Sequence, residues 1–305
     1  MIVRFPPLDG TTGKSQFLNR LKNALLDEHD VSFTDGKRCD IALTLFGPDK
    51  HGYNSKTVSR MNGVYYSSIN DPRNNSIGHH LSKCDGIAYQ SKFSKKLVKI
   101  FVKKYHKFKD KIEESIIYNG ADPSFYDEIE PAKSDHFWNV ICCARWRRHK
   151  RLKEIVKLIL DTDICLWVAG DPDYKISHPR IKYLGRIDQK KLGSYYKMAQ
   201  VMIHLCPYDN CPNSVIEAIA AGTPVLCTNS GGVAEIVGEN GIISQIEEPF
   251  NFKPTDVNSP PKINMDVLRN DLLKLMSGLE VKRDAVDIKK AAGNYYDLFI
   301  KVLNG

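Results

Sequence analysis

The sequence predicts a doubly wound α/β protein of two domains, each a parallel sheet covered by helices. Three observations carry this. Short β-branched or aromatic runs alternate with helical stretches along the chain. The runs are apolar nearly throughout, as strands buried on both faces are. The 305 residues suffice for two domains of ordinary size. Strand candidates in the first half are IVRF from Ile2, DIALTLF from Asp40, GVYYSSI from Gly63, GIAYQS from Gly86 and SIIYN from Ser115. In the second half they are NVICCA from Asn139, ICLWVAG from Ile164, IKYLG from Ile181, VMIHL from Val201, PVLCT from Pro224 and GIIS from Gly241. The polar stretch DEIEPAKSDHF sets the boundary, giving domains of residues 1–130 and 131–284. A last helix at about 285–305 carries Ile288, Ala292, Tyr295, Phe299 and Val302 at helical spacing and is expected to pack back on the first domain.

Composition narrows the function without fixing it. The chain is 42% hydrophobic and 26% charged, an ordinary globular balance, and its net charge of +8 points to an anionic partner: a nucleotide, a phospholipid surface or nucleic acid. Eight cysteines form no C-x-x-C pair, which suits thiols in a reducing compartment and gives no reason to expect a metal. There is no charged-then-apolar leader and no run of about 18 apolar residues, so a cytoplasmic protein is expected.

LDGTTGKSQFLNRL has a glycine followed by Lys14 and Ser15, in the manner of a phosphate-binding loop. That loop needs G-x-x-x-x-G-K-[ST], whereas Gly10 and Gly13 stand too close and Leu8 holds the first glycine's place. What remains is a helix N-terminus after a strand, which still attracts anions. The more informative segment is PYDNCPNSVIEAIAAGTPVLCTNSGGVAEIVGENG, residues 207–241. It joins a strand end to a loop, a helix with Asn213 as expected cap and Gly222 as stop, and a Gly-rich turn. Glu217 then faces the carboxyl edge of a parallel sheet, where such sheets bind nucleotides. It suits the two hydroxyls of a ribose, and Asp209 in the preceding loop suits those of a sugar. The backbone N–H groups of Asn213, Ser214 and Val215 would meet a phosphate between them. Either acid alone would read as a solvated helix residue or a turn former.

The same segment resembles the donor site of retaining glycosyltransferases of the GT-B fold, family 4 or glycosyl transferases group 1. The matching elements are Asp209, Pro212-Asn213-Ser214, Glu217-Ala218-Ile219-Ala220, Gly222, Pro224-Val225, and Gly231-Gly232 with Glu235. CCARWRRHKRLKEIVKLI resembles the family's strand, G-R-L and K-G opening, with Arg145 and Lys150 five apart. VAGDPD with Gly170, IKYLGRI with Arg186 and Ile187, and IIYNGADPSFY with Asn119, Gly120 and Asp122 follow in the family's order. The resemblance spans residues 86–245 and reaches the first 85 only loosely.

It implies two facing Rossmann-like domains with an interdomain cleft, and a hexose moved with retention from a nucleotide-sugar, UDP- or GDP-linked, to an acceptor. Neither cofactor nor metal is implied. Arg145 and Lys150 would hold the diphosphate, Glu217 the ribose, Asp209 the sugar, and Arg186 with Ile187 the base. Gly13 and Lys14 would form a second wall beside the phosphates. Fixed cations there stabilise the charge that grows on the leaving diphosphate. The competing reading of RWRRHKR is a solvated basic face or a nucleic-acid patch, and the spacing disfavours nucleic acid. A sugar-nucleotide epimerase, a phosphorylase or a non-catalytic binding protein are the alternatives in function.

Two positions depart from the family. Asp209 stands where glutamate is usual, and VYYSSINDPRNN offers Asn70 and Asp71 where a histidine is common. Asp71 is the candidate for a catalytic or sugar-contacting group, or else the start of an Asp-Pro turn. His79 and His80 are expected to begin the next helix. Residues 92–111, KFSKKLVKIFVKKYHKFKDK, form a basic amphipathic stretch that suits either peripheral contact with an anionic membrane or packing on its own sheet.

Overall fold

The computed structural model describes residues 1–8, 12–48, 51–68, 70–102, 106–160 and 162–305. The chain forms β1 (Ile2–Arg4), α1 (Gly13–Glu28), β2 (Ser32–Phe33), β3 (Ile41–Thr44), β4 (Lys56–Met61), α2 (Pro72–Leu81), β5 (Gly86–Tyr89), α3 (Lys92–Phe101) and β6 (Glu113–Ile116). Then come α4 (Pro123–Asp127), β7 (Asn139–Cys143), α5 (Leu152–Leu160), β8 (Cys165–Ala169), β9 (Ile181–Gly185), α6 (Gln189–Met198), β10 (Val201–His204) and α7 (Asn213–Ala220). The last elements are β11 (Val225–Thr228), α8 (Val233–Val237), β12 (Gly241–Ser244), α9 (Met265–Met276) and α10 (Ile288–Asn304). Side-chain caps start many of these helices where the sequence offers them: Thr12, Asp71, Ser91, Asp122, Asp188 and Asn264 each accept a backbone N–H of the first turn.

Two units result. The first holds residues 1–120, 252–255 and 288–305, and its parallel sheet runs β2-β1-β3-β4-β5-β6. Phe17, Leu18 and Leu21 of α1 meet Val3, Ile41 and Val58 of the sheet, and Tyr295, Phe299 and Val302 of α10 complete the same core. The second unit holds residues 121–251 and 256–287 around a parallel sheet in the order β12-β11-β10-β7-β8-β9. Its core joins Ile155 and Ile159 of α5 to Leu166, Val168, Ile203 and Leu226 of the sheet and Leu272 of α9. None of the described helices is long and apolar enough to cross a membrane.

Several expectations need correction. The chain passes from one unit to the other at 120/121, ahead of the break expected at 130/131. The reason is α4, which the second unit claims: Arg283 bonds Asp127 at 2.6 Å, and Lys197 donates to the Tyr126 carbonyl at 2.9 Å. Residues 252–255 return to the first unit, where Thr255 N–H donates to Tyr66 O at 2.8 Å and Phe252 packs on Phe93.

GVYYSSI, expected as a strand, is irregular over its described residues. Both backbone groups of Tyr65 are taken by the Asn74 side chain at 2.8 Å, so none is left for a sheet. The strand is instead KTVSRM, disguised by polar residues that are buried in place: Ser59, and Arg60, which donates to Asn119 at 2.7 Å. β2 is likewise unanticipated. His79 and His80 end α2 and do not begin a helix. In α3, Phe93, Leu97, Val98 and Phe101 are buried, so this part of the basic stretch packs its apolar stripe within its own unit. Residues 103–105 of that stretch, and Gly10, lie outside the described residues.

Candidate functional site

The order of the second sheet sets β7 beside β10, the point at which the strand sequence reverses. Ligands of doubly wound sheets bind outside the carboxyl ends of the strands at that point. The residues after β7 and after β10 are therefore the ones to inspect.

After β7 the chain runs through exposed Arg145 to a 3-10 turn, Arg148–Lys150, and Lys150 points back over the strand ends. After β10 it runs from His204 to Asp209. There Lys150 Nζ and Asp209 Oδ2 form an ion pair with side chains only 15% and 24% exposed. Burial alone would pull the Lys150 ammonium down, yet the adjacent carboxylate outweighs it and holds it above its usual range. Burial likewise works against the Asp209 charge, but the Lys150 ammonium beside it keeps its carboxyl far below the usual range. His204 Nε2 stands 2.9 Å from Asp209 Oδ2 in an orientation that makes it a close polar contact and not an aligned hydrogen bond. Burial pushes this imidazole down, which keeps it neutral at pH 7.

The loop bearing Asp209 is held by the Gly-rich turn. Gly231 has φ +81°, and a Cβ there would stand 3.0 Å from Asp209 O and 3.1 Å from Pro207 O. Gly232 N–H donates to Asp209 O at 2.8 Å. Gly231 thus admits close backbone approach on one side of the acid, and Gly232 fixes it with its N–H. Glu217 is 6% exposed within α7. It lies near Cys143 at the end of β7, whose thiol burial and then the Glu217 charge push up to about 12. A hollow of about 10 Å³ is lined by Cys143, Trp146, Lys150, His204 and Cys206.

The expected residues do not all converge. Lys150, Asp209 and Glu217 gather at the β7 and β10 ends, whereas Arg145 is exposed with no partner among the described residues. Arg186 is also exposed, 3.3 Å from Asp171, and Ile187 beside it is half-buried. α7 begins at Asn213 with Pro212 at the cap, so Asn213 is the first helical residue and not the cap as expected. Ser214 follows it in the first turn. Val215 N–H is directed to Pro212 O at 3.2 Å, which engages one of the three donors anticipated for phosphate.

Gly170 has a backbone reason: φ is +94° and a Cβ would stand 2.2 Å from Ala144 O. In the first unit Gly13 opens α1 with exposed Lys14 beside it. Asp71 caps α2, and Arg73 grips both its oxygens at 2.9 and 2.7 Å, holding its carboxyl well below the usual range. Any further task for Asp71 requires Arg73 to give way.

Sequence reasoning missed three groups here. His204 was hidden inside an apolar strand, and Arg151 inside a basic run read as a whole. Glu247 carried no signal. Arg151 is 1% exposed and pairs with Glu247, 0% and 1% exposed at their side chains. Its backbone is left-handed at φ 57°, ψ 38°, a conformation that costs a non-glycine residue about 1–2 kcal/mol.

Known proteins resemble the chain in part of its sequence and in its fold. The family model described as "Glycosyl transferases group 1" matches residues 139–253. An O-antigen chain mannosyltransferase B of Escherichia coli is 26% identical over 91 residues, which are 30% of this chain and 22% of that protein. The aligned part is thus about a fifth of the relative. Among solved structures, a glycosyltransferase involved in avilamycin A biosynthesis superposes with TM-score 0.64 at 14% identity, covering 100% of this chain and 98% of that one. A sucrose-phosphate synthase from Thermosynechococcus elongatus gives 0.63 at 14% identity, covering 100% and 96%. Residues 139–253 thus match the group 1 glycosyl transferase model by sequence, and the chain as a whole has the two-sheet α/β fold of these GT-B glycosyltransferase structures.

Proposed function

We propose that the protein transfers a hexose from a UDP- or GDP-sugar to an acceptor hydroxyl, with retention of anomeric configuration. The observation that carries this reading is the half-buried Lys150–Asp209 pair at the strand switch point, with buried Glu217 on the adjoining helix. Glu217 accepts the ribose hydroxyls. Lys150, the N-terminus of α7 at Asn213 and Ser214, and Arg145 from its exposed loop hold the diphosphate. Arg186 and Ile187 flank the base, and Asp209 binds hydroxyls of the hexose.

The charge states divide the labour. As the anomeric C–O bond breaks, negative charge moves onto the diphosphate, and a cation already in place stabilises it without reorganisation. Asp209, held far below the usual carboxylate range, is a weak base. It orients the sugar, and the acceptor proton leaves with the departing phosphate oxygen. The free, mostly buried thiols fit a reducing cytoplasm.

A thermal-shift screen of UDP, GDP, ADP and their sugars tests the reading, with mannosyl donors included because of the relative's name. At least one nucleotide should raise the melting temperature, and Lys150→Ala and Glu217→Ala should abolish that rise. Indifference to every nucleotide, or unchanged binding in both variants, would sink the site. Conversion of a nucleotide-sugar to its epimer without acceptor, or a requirement for inorganic phosphate, would replace the transferase by one of its GT-B alternatives.

A further inference from the structure

Arg151 holds a conformation its residue type resists. Glycine is the ordinary occupant of left-handed backbone, and Arg151 and Phe252 are the only non-glycine residues with positive φ among those described. Its side chain is buried and forks across three segments. Nη1 donates to Leu205 O at 3.1 Å and to Glu247 Oε1 at 3.0 Å, while Nη2 donates to Pro261 O at 2.9 Å and to Glu247 Oε2. Glu247 Oε1 also accepts from the Thr228 hydroxyl, and its backbone carbonyl accepts from Asn229 at 2.8 Å.

The placement of these partners matters. Arg151 directly follows Lys150, and its own N–H closes the 3-10 turn on Arg148 O at 3.0 Å. Leu205 directly follows His204 and stands four residues before Asp209. One residue therefore ties the turn that bears the cation to the strand end that bears the acid. A buried guanidinium with a bidentate carboxylate has a fixed direction that a solvated lysine lacks.

We infer that Arg151, braced by Glu247, is a positioning residue that sets the distance between Lys150 and Asp209. The inference rests on the reading of those two as donor-binding groups. Arg151 touches no substrate in this scheme, and its effect passes through Lys150.

A double-mutant cycle on nucleotide affinity tests it, read by calorimetry with whichever of UDP and GDP binds the wild type more tightly. Arg151→Lys keeps the charge and loses the fork, and it should weaken binding about tenfold. In a Lys150→Ala background the same change should cost nothing further, because the group it positions is gone. Additive losses would show Arg151 acting on the fold at large and would overturn the inference. So would an Arg151→Lys protein that binds as the wild type does while Lys150→Ala fails to. Should Lys150→Ala bind too weakly to measure, Lys150→Gln, which also removes the cation, takes its place in the cycle. Should Arg151→Lys not fold, the pair Arg151→Gly with Glu247→Gln takes its place, since it suits the left-handed backbone and leaves no buried charge alone. If Lys150→Ala binds as the wild type does, the donor site itself is wrong, whatever Arg151 does.

Discussion

One polar cluster in each unit makes a useful comparison, the first neutral and the second ionic. In the first, His80 is 2% exposed and sits among neutral hydroxyls. Its Nδ1 meets Tyr53 OH at 2.8 Å, and its Nε2 meets Thr44 Oγ1 and Ser59 Oγ at 3.1 Å each. Ser59 donates its own proton to Leu45 O at 2.7 Å, so it accepts from Nε2–H, and Tyr53 then donates to Nδ1. Burial pulls this imidazole down to about 4, which keeps it uncharged. In the second unit the cluster is ionic, the half-buried Lys150 with Asp209 and the fully buried side chains of Arg151 and Glu247. Neutral networks suffice to make a core specific, whereas buried charge carries a desolvation cost that packing alone does not repay. The first unit also buries the Arg4 and Arg60 guanidinium groups, but there Arg4 donates to the Gly36 carbonyl and Arg60 to the Asn119 amide oxygen, neutral acceptors in contrast to the carboxylates that meet Lys150 and Arg151.

The largest effect should come from breaking the buried ion pair. Glu247→Ala leaves Arg151 buried and alone, and should lower unfolding free energy by about 3–5 kcal/mol in urea titration. A loss below about 1 kcal/mol would place this pair with ordinary surface salt bridges and dissolve the contrast. Next, Lys150→Ala should reduce turnover by about 10²–10³, roughly 3–4 kcal/mol of barrier, in a donor-hydrolysis or transfer assay at saturating donor. Turnover within a factor of about two would mean that the charge serves no reaction.

His80 sharpens the neutral side. The unfolded chain takes up a proton below about pH 6.5 that folded His80 refuses until about pH 4. Its contribution is therefore complete above 6.5 and falls as pH drops across that window. Wild-type stability should fall by about 2 kcal/mol from this group between pH 7 and 5, and His80→Asn should remove that part of the slope. A slope unchanged in the variant would mean that His80 is charged in the fold.

The smallest effect tests the exception. Asp71 is an ion of the first unit, and as a helix cap its change to Ala should cost about 1 kcal/mol of stability and leave turnover alone. A loss of transfer of a hundredfold or so with donor affinity intact would make Asp71 catalytic and give the first unit an ionic site of its own.

Much of this was legible beforehand. Of the twelve strands among the described residues, nine lie within apolar runs that the sequence displays and β6 overlaps a tenth run, and the acids Asp209 and Glu217 stand in a dense, ordered pattern. What escaped did so for physical reasons. β4 buries Ser59 and Arg60 with partners distant in sequence, so its polarity reads as exposure. The cap of α7 is a proline whose carbonyl takes Val215 N–H, and propensity alone had favoured Asn213. Glu247 acquires meaning only through Arg151, ninety-six positions away, and no local pattern announces such a partner.

The last helix has a consequence for how the molecule comes into being. Phe17 and Leu21 cannot finish their core until Tyr295, Phe299 and Val302 exist, although the second unit is complete by Asp287. At ribosomal rates of about 5–20 residues per second, α1 waits roughly 15 s or more for its partner. The half of the protein that is made first is the half that matures last. During that interval its nascent apolar face is the part of the chain that most needs a chaperone.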